Sequence, residues 1–427
     1  MLYIQFLERE KFMRKLLTLT ALSTILAAAQ VQAAGYHLRE QSSAAQGNAY
    51  AGATAGAENL SYAYFNVAGI TRQEGTNFNI GGTYIAPRAR AKKIYNHTTD
   101  ERGEDVDNIV HAAVAPNMAI SHQLNERAYL ALALNVPFGM ITKYDEAWQG
   151  KEHGVTSKLT TVTLTPMAAY KLTDKFSLGA GLQIQYLKAR LTSGRGTPLG
   201  RINSSVEGKA VDLGWQIGSM YEFNEKTRIG LAYRSKVSHK LKGKQKVRLA
   251  QTGLPHPMLP QDHDIYAHLT TPAMLSMGIV HQINDKWSVM AEYQRVFWSA
   301  FRDLHIRDYD GGVNTTHEKW RDTNFYAVGA SYQIDNQWKL RLGLAYDQSA
   351  VRLQHRTPRI PDSDRFWYST GLNYQYNEKL SFDLAYTYIY AHKAHLDTTR
   401  TGNGAPDITA DYDNSIQLFG VSLNYKF

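Results

Sequence analysis

The last nine residues, 419–427, alternate without a slip. Phe419, Val421, Leu423, Tyr425 and Phe427 share one face of a strand; Gly420, Ser422, Asn424 and Lys426 share the other. Successive side chains point to opposite sides of a strand, so this is a ribbon with one greasy face and one wet face. The same period returns in residues 176–186, 338–347 and 380–390, with aromatics gathered near the ends of each stripe. One soluble sheet could carry such a ribbon. A chain that repeats it throughout and stops on an aromatic residue reads as all-β: an antiparallel transmembrane barrel.

Tyr (27) outnumbers Phe (14) and Trp (7), as aromatic girdles at two membrane interfaces require. The mean hydropathy of −0.40 points toward a soluble protein, but alternation hides a barrel's apolar surface from such an average. Beyond the amino-terminal leader described below, no segment offers the ~18 uninterrupted apolar residues of a spanning helix. The absence of Cys fits an oxidising compartment without a disulfide framework.

A polar punctuation mark recurs six times, at residues 124–127, 172–175, 223–226, 283–286, 334–337 and 376–379. Each mark is an apolar residue followed by turn formers such as Asn125, Asn224, Asn284, Asp335 and Asn377. The intervals, 42 to 60 residues, hold two strands and a long loop. Six turns join twelve strands; one strand over 76–87 and the closing strand make fourteen. An even count puts both ends and the short turns on the periplasmic side. Seven longer loops then face outward, near 88–110, 139–157, 193–210, 241–263, 303–321, 349–363 and 393–412.

Ahead of the barrel, Arg14-Lys15, an apolar run and Val31-Gln32-Ala33 form a secretory signal, with cleavage after Ala33. Met13 is its natural start, and residues 1–12 read as an upstream extension. The expected division is residues 1–33 for extension and signal, 34–75 for a hatch and 76–427 for the barrel. Ten of the fourteen residues in 44–57 are Ala or Gly, which permits tight bends and close packing. Tyr36, Leu38, Tyr50, Leu60, Tyr62, Tyr64 and Phe65 supply anchors that a solvated tail would not need, so 34–75 reads as a plug inside the lumen.

In these segments the chain resembles the FadL/TodX family of outer-membrane transporters for long-chain fatty acids and other hydrophobic compounds. The resemblance rests on Ala34-Gly35-Tyr36, Glu40-Gln41-Ser42-Ser43, residues 47–52 (Gly-Asn-Ala-Tyr-Ala-Gly) and Asn66-Val67-Ala68-Gly69. It continues at Pro116-Asn117-Met118, Pro137-Phe138-Gly139, Tyr233-Arg234-Ser235 and Gly253-Leu254-Pro255, and at residues 360–367 (Ile-Pro-Asp-Ser-Asp-Arg-Phe-Trp). It implies a fourteen-stranded barrel with an amino-terminal hatch, whose motif here is Gly35, Glu40, Gly47, Gly52, Asn66, Ala68 and Gly69. The family commonly has Asn-Pro-Ala where this chain has Asn66-Val67-Ala68. Its head-group cations fall at Ser193 and Thr316, with Arg195 and Arg321 close by. The family's kinked third strand implies a lateral opening at Pro137, Phe138 and Gly139. There proline lacks a ladder N–H and glycine permits a bend; the plainer alternative is a strand end.

Strict alternation after Lys226 sets Arg228, Arg234, Lys236, Lys240, Lys242, Lys244, Lys246 and Arg248 on one face, opposite Ile229, Leu231 and Tyr233. That parity predicts a basic lumen, with Arg234 and Lys236 as head-group candidates beside the Arg195 and Arg321 that the resemblance implies, or contact with lipopolysaccharide phosphates at the rim. The acidic residues between 100 and 107 read as a solvated loop. His392 and His395 lack the donors of a metal site, and neither a cofactor motif nor a nucleophile motif stands out, so no enzyme is expected. A net charge of +9 would suit nucleic acid, which the signal and the lipid-facing stripes exclude. The expected function is passive uptake of hydrophobic molecules across the bacterial outer membrane, the alternative an adhesin-like or antigenic surface barrel. Expected partners are an apolar ligand, lipopolysaccharide and outer-membrane lipid, and the barrel assembly machinery through the strand ending at Phe427.

Overall fold

The computed structural model describes residues 35–197, 200–255, 262–308, 312–399 and 405–427. The expected signal and its cleavage point at Ala33 lie outside them. In each of the six marks a side-chain oxygen seals the turn. Asn125 Oδ1 accepts from the N–H groups of Arg127 and Ala128 at 3.0 and 2.9 Å. Thr173, Asn224, Asn284, Asp335 and Asn377 do the same for the second and third residues after them. A turn closed by its own side chain needs no loop, so consecutive strands lie side by side.

The described residues build fourteen wall strands, all paired antiparallel. They are β1 (Thr76–Asn96), β2 (Ala113–Gln123), β3 (Ala128–Asn135, resuming Gly139–Lys143), β4 (Thr156–Lys171), β5 (Phe176–Thr197), β6 (Gly200–Asn224) and β7 (Thr227–Arg234, resuming Val237–Leu249). There follow β8 (His263–Thr271, resuming Met274–Gln282), β9 (Trp287–Val296), β10 (Thr323–Gln333), β11 (Trp338–Asp347), β12 (Arg365–Gln375), β13 (Leu380–Ala391) and β14 (Ile408–Lys426). β14 pairs with β1 from Lys426↔Asn77 to Ile408↔Asn96, which closes the barrel. An outlying hairpin, Asp303–Asp308 with Val313–His317, continues the wall above β9.

Alternation sorts the residues. Leu213, Leu342, Leu344, Leu384, Phe419 and Val421 stand exposed on the lipid side, while Gln183, Arg341, Asp383 and Ser422 are buried within. The expected loop at 193–210 is instead ladder. β5 and β6 stay paired out to Thr197↔Gly200, so this hairpin extends the wall outward. Residues 241–249 and 408–412, expected in loops, are paired strand as well.

Nearly every residue from 35 to 73 is buried inside this wall. The segment forms a short helix, α1 (Ser43–Gly47), and two 3-10 turns, Leu60–Tyr64 and Val67–Arg72, capped by Ser42, Asn59 and Asn66. Val67 is the first residue of its turn, where an N–H has no partner within the turn, so the position does not exclude the family's proline. The segment lies directly on wall glycines: a Cβ on Gly343 would stand 2.1 Å from the Asn48 carbonyl carbon, and one on Gly230 2.0 Å from Thr54 O. Gln46 reaches both strands of the closing seam, accepting from Thr83 Oγ1 of β1 at 3.0 Å and donating to Leu418 O of β14 at 3.4 Å.

Candidate functional site

The amino-terminal end of the buried segment meets the wall where the wall is broken. β3 stops at Asn135↔Thr163 and resumes at Gly139↔Thr160, so residues 136–138 oppose only two residues of β4. Above Met118↔Leu134, β2 has no ladder to β3. The loose backbone is satisfied mainly from the hatch. Leu38 N–H donates to Pro137 O at 2.8 Å and Gly139 N–H to Tyr36 O at 2.9 Å. Gln41 both donates to Val136 O (2.7 Å) and accepts from Val136 N–H (3.1 Å). Phe138 N–H is held by Thr161 Oγ1 at 2.9 Å. Residues 36–41 thus act as a short extra strand, with His37 directly opposite Phe138.

The same segment lines an apolar cavity. Tyr36 packs among Phe138, Trp298, Phe301 and Trp320, with ring centroids 4.7 to 5.9 Å away. Beside it Met140, Leu159, Leu241, Leu269, Phe301 and Ile306 enclose about 70 Å³, room for a few water-sized groups but not for a long chain. Gly35 adopts φ 64°, and its N–H donates at 3.0 Å to Asp362, which also accepts from Ser349 Oγ and pairs with Arg365. The 360–367 motif therefore grips the very start of the segment. A side chain on Gly35 would strike Trp298 and Trp320.

At the polar end of the cavity stand Arg359 and Glu318, both in outer loops. Arg359 donates to Ser157 Oγ (2.9 Å) and to the carbonyls of Thr156 and Thr192, and no described carboxylate pairs with it. Burial pushes its guanidinium down to about 10, still protonated at neutral pH, while the nearby Glu318 opposes the shift. Glu318 accepts from Trp320 Nε1 at 3.1 Å, and burial pushes its carboxyl up to about 7. A buried cation with no described carboxylate in ion-pair contact, at the head of an apolar space, suits an amphiphile with an anionic group.

The structure does not gather the expected head-group cations. Arg234 lies over the Tyr64 ring at 4.2 Å and donates to Tyr64 O and Gln183, so it anchors the hatch. Arg195 is exposed on the outward extension of the β5–β6 hairpin. Arg321 bonds Ser349 O and lies 3.8 Å from Asp364.

Lys236 is outside the lumen, and with it falls the basic lumen face. β7 breaks after Arg234, and seven residues (235–241) then oppose six of β6 (210–215) before pairing resumes at Lys242↔Lys209. The extra residue reverses the alternation: Val237, His239 and Leu241 turn inward, and Lys240, Lys242, Lys244 and Lys246 turn out. Parity reasoning also missed Arg359. Its signal was its place between Pro358 and the Ile360-Pro361 start of the motif.

Of the hatch motif, Asn66 donates to Thr54 O and Ser219 O and caps Ala68, tying two turns to β6. Gly47 and Gly52 pack against Gly371 and Met290, and Gly69 and Ala68 are buried. Glu40 is buried with one carboxylate oxygen lacking a protein partner among the described residues.

A family model described as outer membrane protein transport protein (OMPP1/FadL/TodX) matches residues 24–427. Outer membrane protein P1 of Haemophilus influenzae is 31% identical, covering 96% of this chain and 99% of its own length. The long-chain fatty acid transport protein of Escherichia coli K12 is 28% identical over 97% of this chain and 99% of its own. Among solved structures, a Pseudomonas aeruginosa FadL homologue superposes with a TM-score of 0.84 at 26% identity, covering 92% of this chain and all of that one.

Proposed function

This chain belongs to the OMPP1/FadL/TodX family of outer-membrane transport proteins, and from that premise we propose that it is a passive outer-membrane channel for hydrophobic molecules, long-chain fatty acids foremost. The observation that carries the reading is the double duty of segment 36–41, whose backbone and Gln41 mend the β3 break while its Tyr36 lines the apolar cavity. Withdrawing that one segment enlarges the cavity and opens the wall together. The ligand adsorbs among the outer loops, sets its carboxylate against Arg359 and its chain in the space Tyr36 vacates, and leaves sideways past Pro137, Phe138 and Gly139 into lipid. Backbone bared to hydrocarbon is costly, so the segment returns once the ligand has gone. Nothing in this sequence of steps needs an energy source or a catalytic group; affinity and a gradient suffice.

Residues 34–75 act as the hatch and 76–427 as the barrel. The carboxy-terminal strand ending at Phe427 is the element offered to the assembly machinery. Arg359 favours fatty acids over aromatic hydrocarbons, which bring no anion to balance it.

The test is uptake of labelled oleate and labelled toluene by a deletion strain carrying this chain or its Pro137→Val/Gly139→Val variant. Oleate uptake restored by the native chain and slowed by the variant, at equal surface expression, supports the reading. Unchanged transport of both solutes by the variant removes the lateral route.

A further inference from the structure

The reversal of β7 leaves a result on the outer face of the barrel. Across neighbouring strands the register puts Lys188 of β5 opposite Lys209 of β6, and Lys209 opposite Lys242 of β7. The row continues to Tyr266 of β8 and Arg307 of the outlying hairpin. Like charges directly opposite one another on a sheet repel, and three in succession is an arrangement that a bound anion would relieve. The groove around them, about 750 Å³, holds six cations (Lys188, Arg190, Lys209, Lys242, Lys244 and Lys246) against two carboxylates. Glu207 pairs with Lys188 at 2.7 Å and Asp264 with Lys244 at 3.8 Å. Lys209, Lys242 and Lys246 have no carboxylate partner among the described residues.

Position identifies the anion. Along the same face of β6, Lys209 is followed by Val211, Leu213, Trp215 and Ile217, which are 62, 63, 52 and 47% exposed in a barrel whose outside is lipid. At ~3.4 Å per residue, Lys209 stands about 7 Å beyond the first of these. Tyr186, opposite Val211, marks the interface between them. A cationic groove continuous with the lipid-facing wall, at its outward edge, meets the phosphates of a glycolipid whose acyl chains lie along Val211 to Ile217. We propose that this groove is a docking site for the phosphorylated glycolipid of the outer leaflet, lipopolysaccharide, held by Lys209 and Lys242 through its lipid A phosphates. The site lies across the wall from the transport cavity, with Gly208 and Ile265 of the wall common to both, and it stands whether or not the ligand there is a fatty acid.

The test uses the purified full chain in detergent, titrated with diphosphoryl lipid A and with its dephosphorylated form and read by native mass spectrometry. The native chain should bind the diphosphoryl form at least ten-fold more tightly. Lys209→Ala/Lys242→Ala should erase that preference while leaving weak binding of the dephosphorylated form unchanged; heat-modifiable migration reports whether the variant barrel is folded. Lys226→Ala/Lys286→Ala, at the periplasmic turns, should retain the full preference. Equal affinity of the native chain for the two forms, or a preference that survives in the Lys209/Lys242 variant, overturns the site. Inorganic phosphate displacing lipid A at comparable concentration overturns the lipid assignment.

Discussion

At the β3 break the loose backbone of residues 136–139 is held largely by the hatch, through Tyr36, Leu38 and Gln41. At the β7 break it is held by the wall's own side chains. Ser235 N–H donates to Trp215 O while Ser235 Oγ accepts from Trp215 N–H, Gln183 donates to Trp215 O, and Asp212 accepts from Lys240 N–H. β8 breaks alongside at Pro272–Ala273, so β7 and β8 stay in register across the defect. Both breaks insert one residue and both reverse which face looks inward. One is closed by a segment separate from the wall, the other by the wall itself. The first has the makings of a gate. The second only changes what the wall displays.

Four experiments can break that contrast. His37 and Phe138 form the pair not joined by its own hydrogen bonds, whose Cα atoms approach to about 4.5 Å, within disulfide reach. Since the chain has no native Cys, His37→Cys/Phe138→Cys should form one bridge. Oleate uptake should fall at least ten-fold when oxidised and return on adding reductant. Uptake indifferent to the bridge would mean the hatch strand is not the gate.

A smaller effect is expected at the cavity. Arg359→Met removes a charge-assisted contact of about 1.5–3 kcal/mol, so oleate affinity should drop roughly 10–100-fold and toluene affinity should not move. Glu318 adds a pH dependence. Its carboxyl, raised to about 7, is neutral below that pH and ionised above it. An incoming carboxylate favours the neutral form, so oleate binding should weaken several-fold from pH 6 to pH 8, and Glu318→Gln should flatten the profile. Equal losses for toluene would point to collapse of the cavity instead.

The smallest effect belongs to the second break. Ser235→Ala orphans the Trp215 N–H and should cost about 1–3 kcal/mol, read as a lower denaturant midpoint. Uptake of the folded protein should match the native rate. Transport that changes with Ser235 would make this break a second gate.

What could be read beforehand follows the same division. The six marks were legible because each turn is sealed by its own residue, and turn chemistry is local. The count of fourteen strands came with them. Pro137 announced the β3 break because a missing N–H is written in the residue type. Ser235-Lys236 carries no such mark: that reversal depends on pairing with β6 and β8, and strict alternation sent five lysines to the wrong side. The reach of the β5–β6 hairpin was hidden likewise, since Thr, Ser, Gly and Arg in 192–203 read as loop until a partner strand is known. Arg359 sits in irregular chain, where no period says what it faces.

The hold of Gln46 on both β1 and β14 bears on the order of assembly. Twelve strands can pair through tight turns, each bringing together residues a few positions apart. The seam between β14 and β1 joins residues some 350 positions apart, the contact with the greatest loss of chain entropy and the last to form unaided. α1 lies against the inner face of β12 and β13, beside that seam, tethered to β1 through residues 48–75. Gln46 gains both of its wall partners only once β14 and β1 stand side by side, so the hatch supports the closed seam rather than either strand alone.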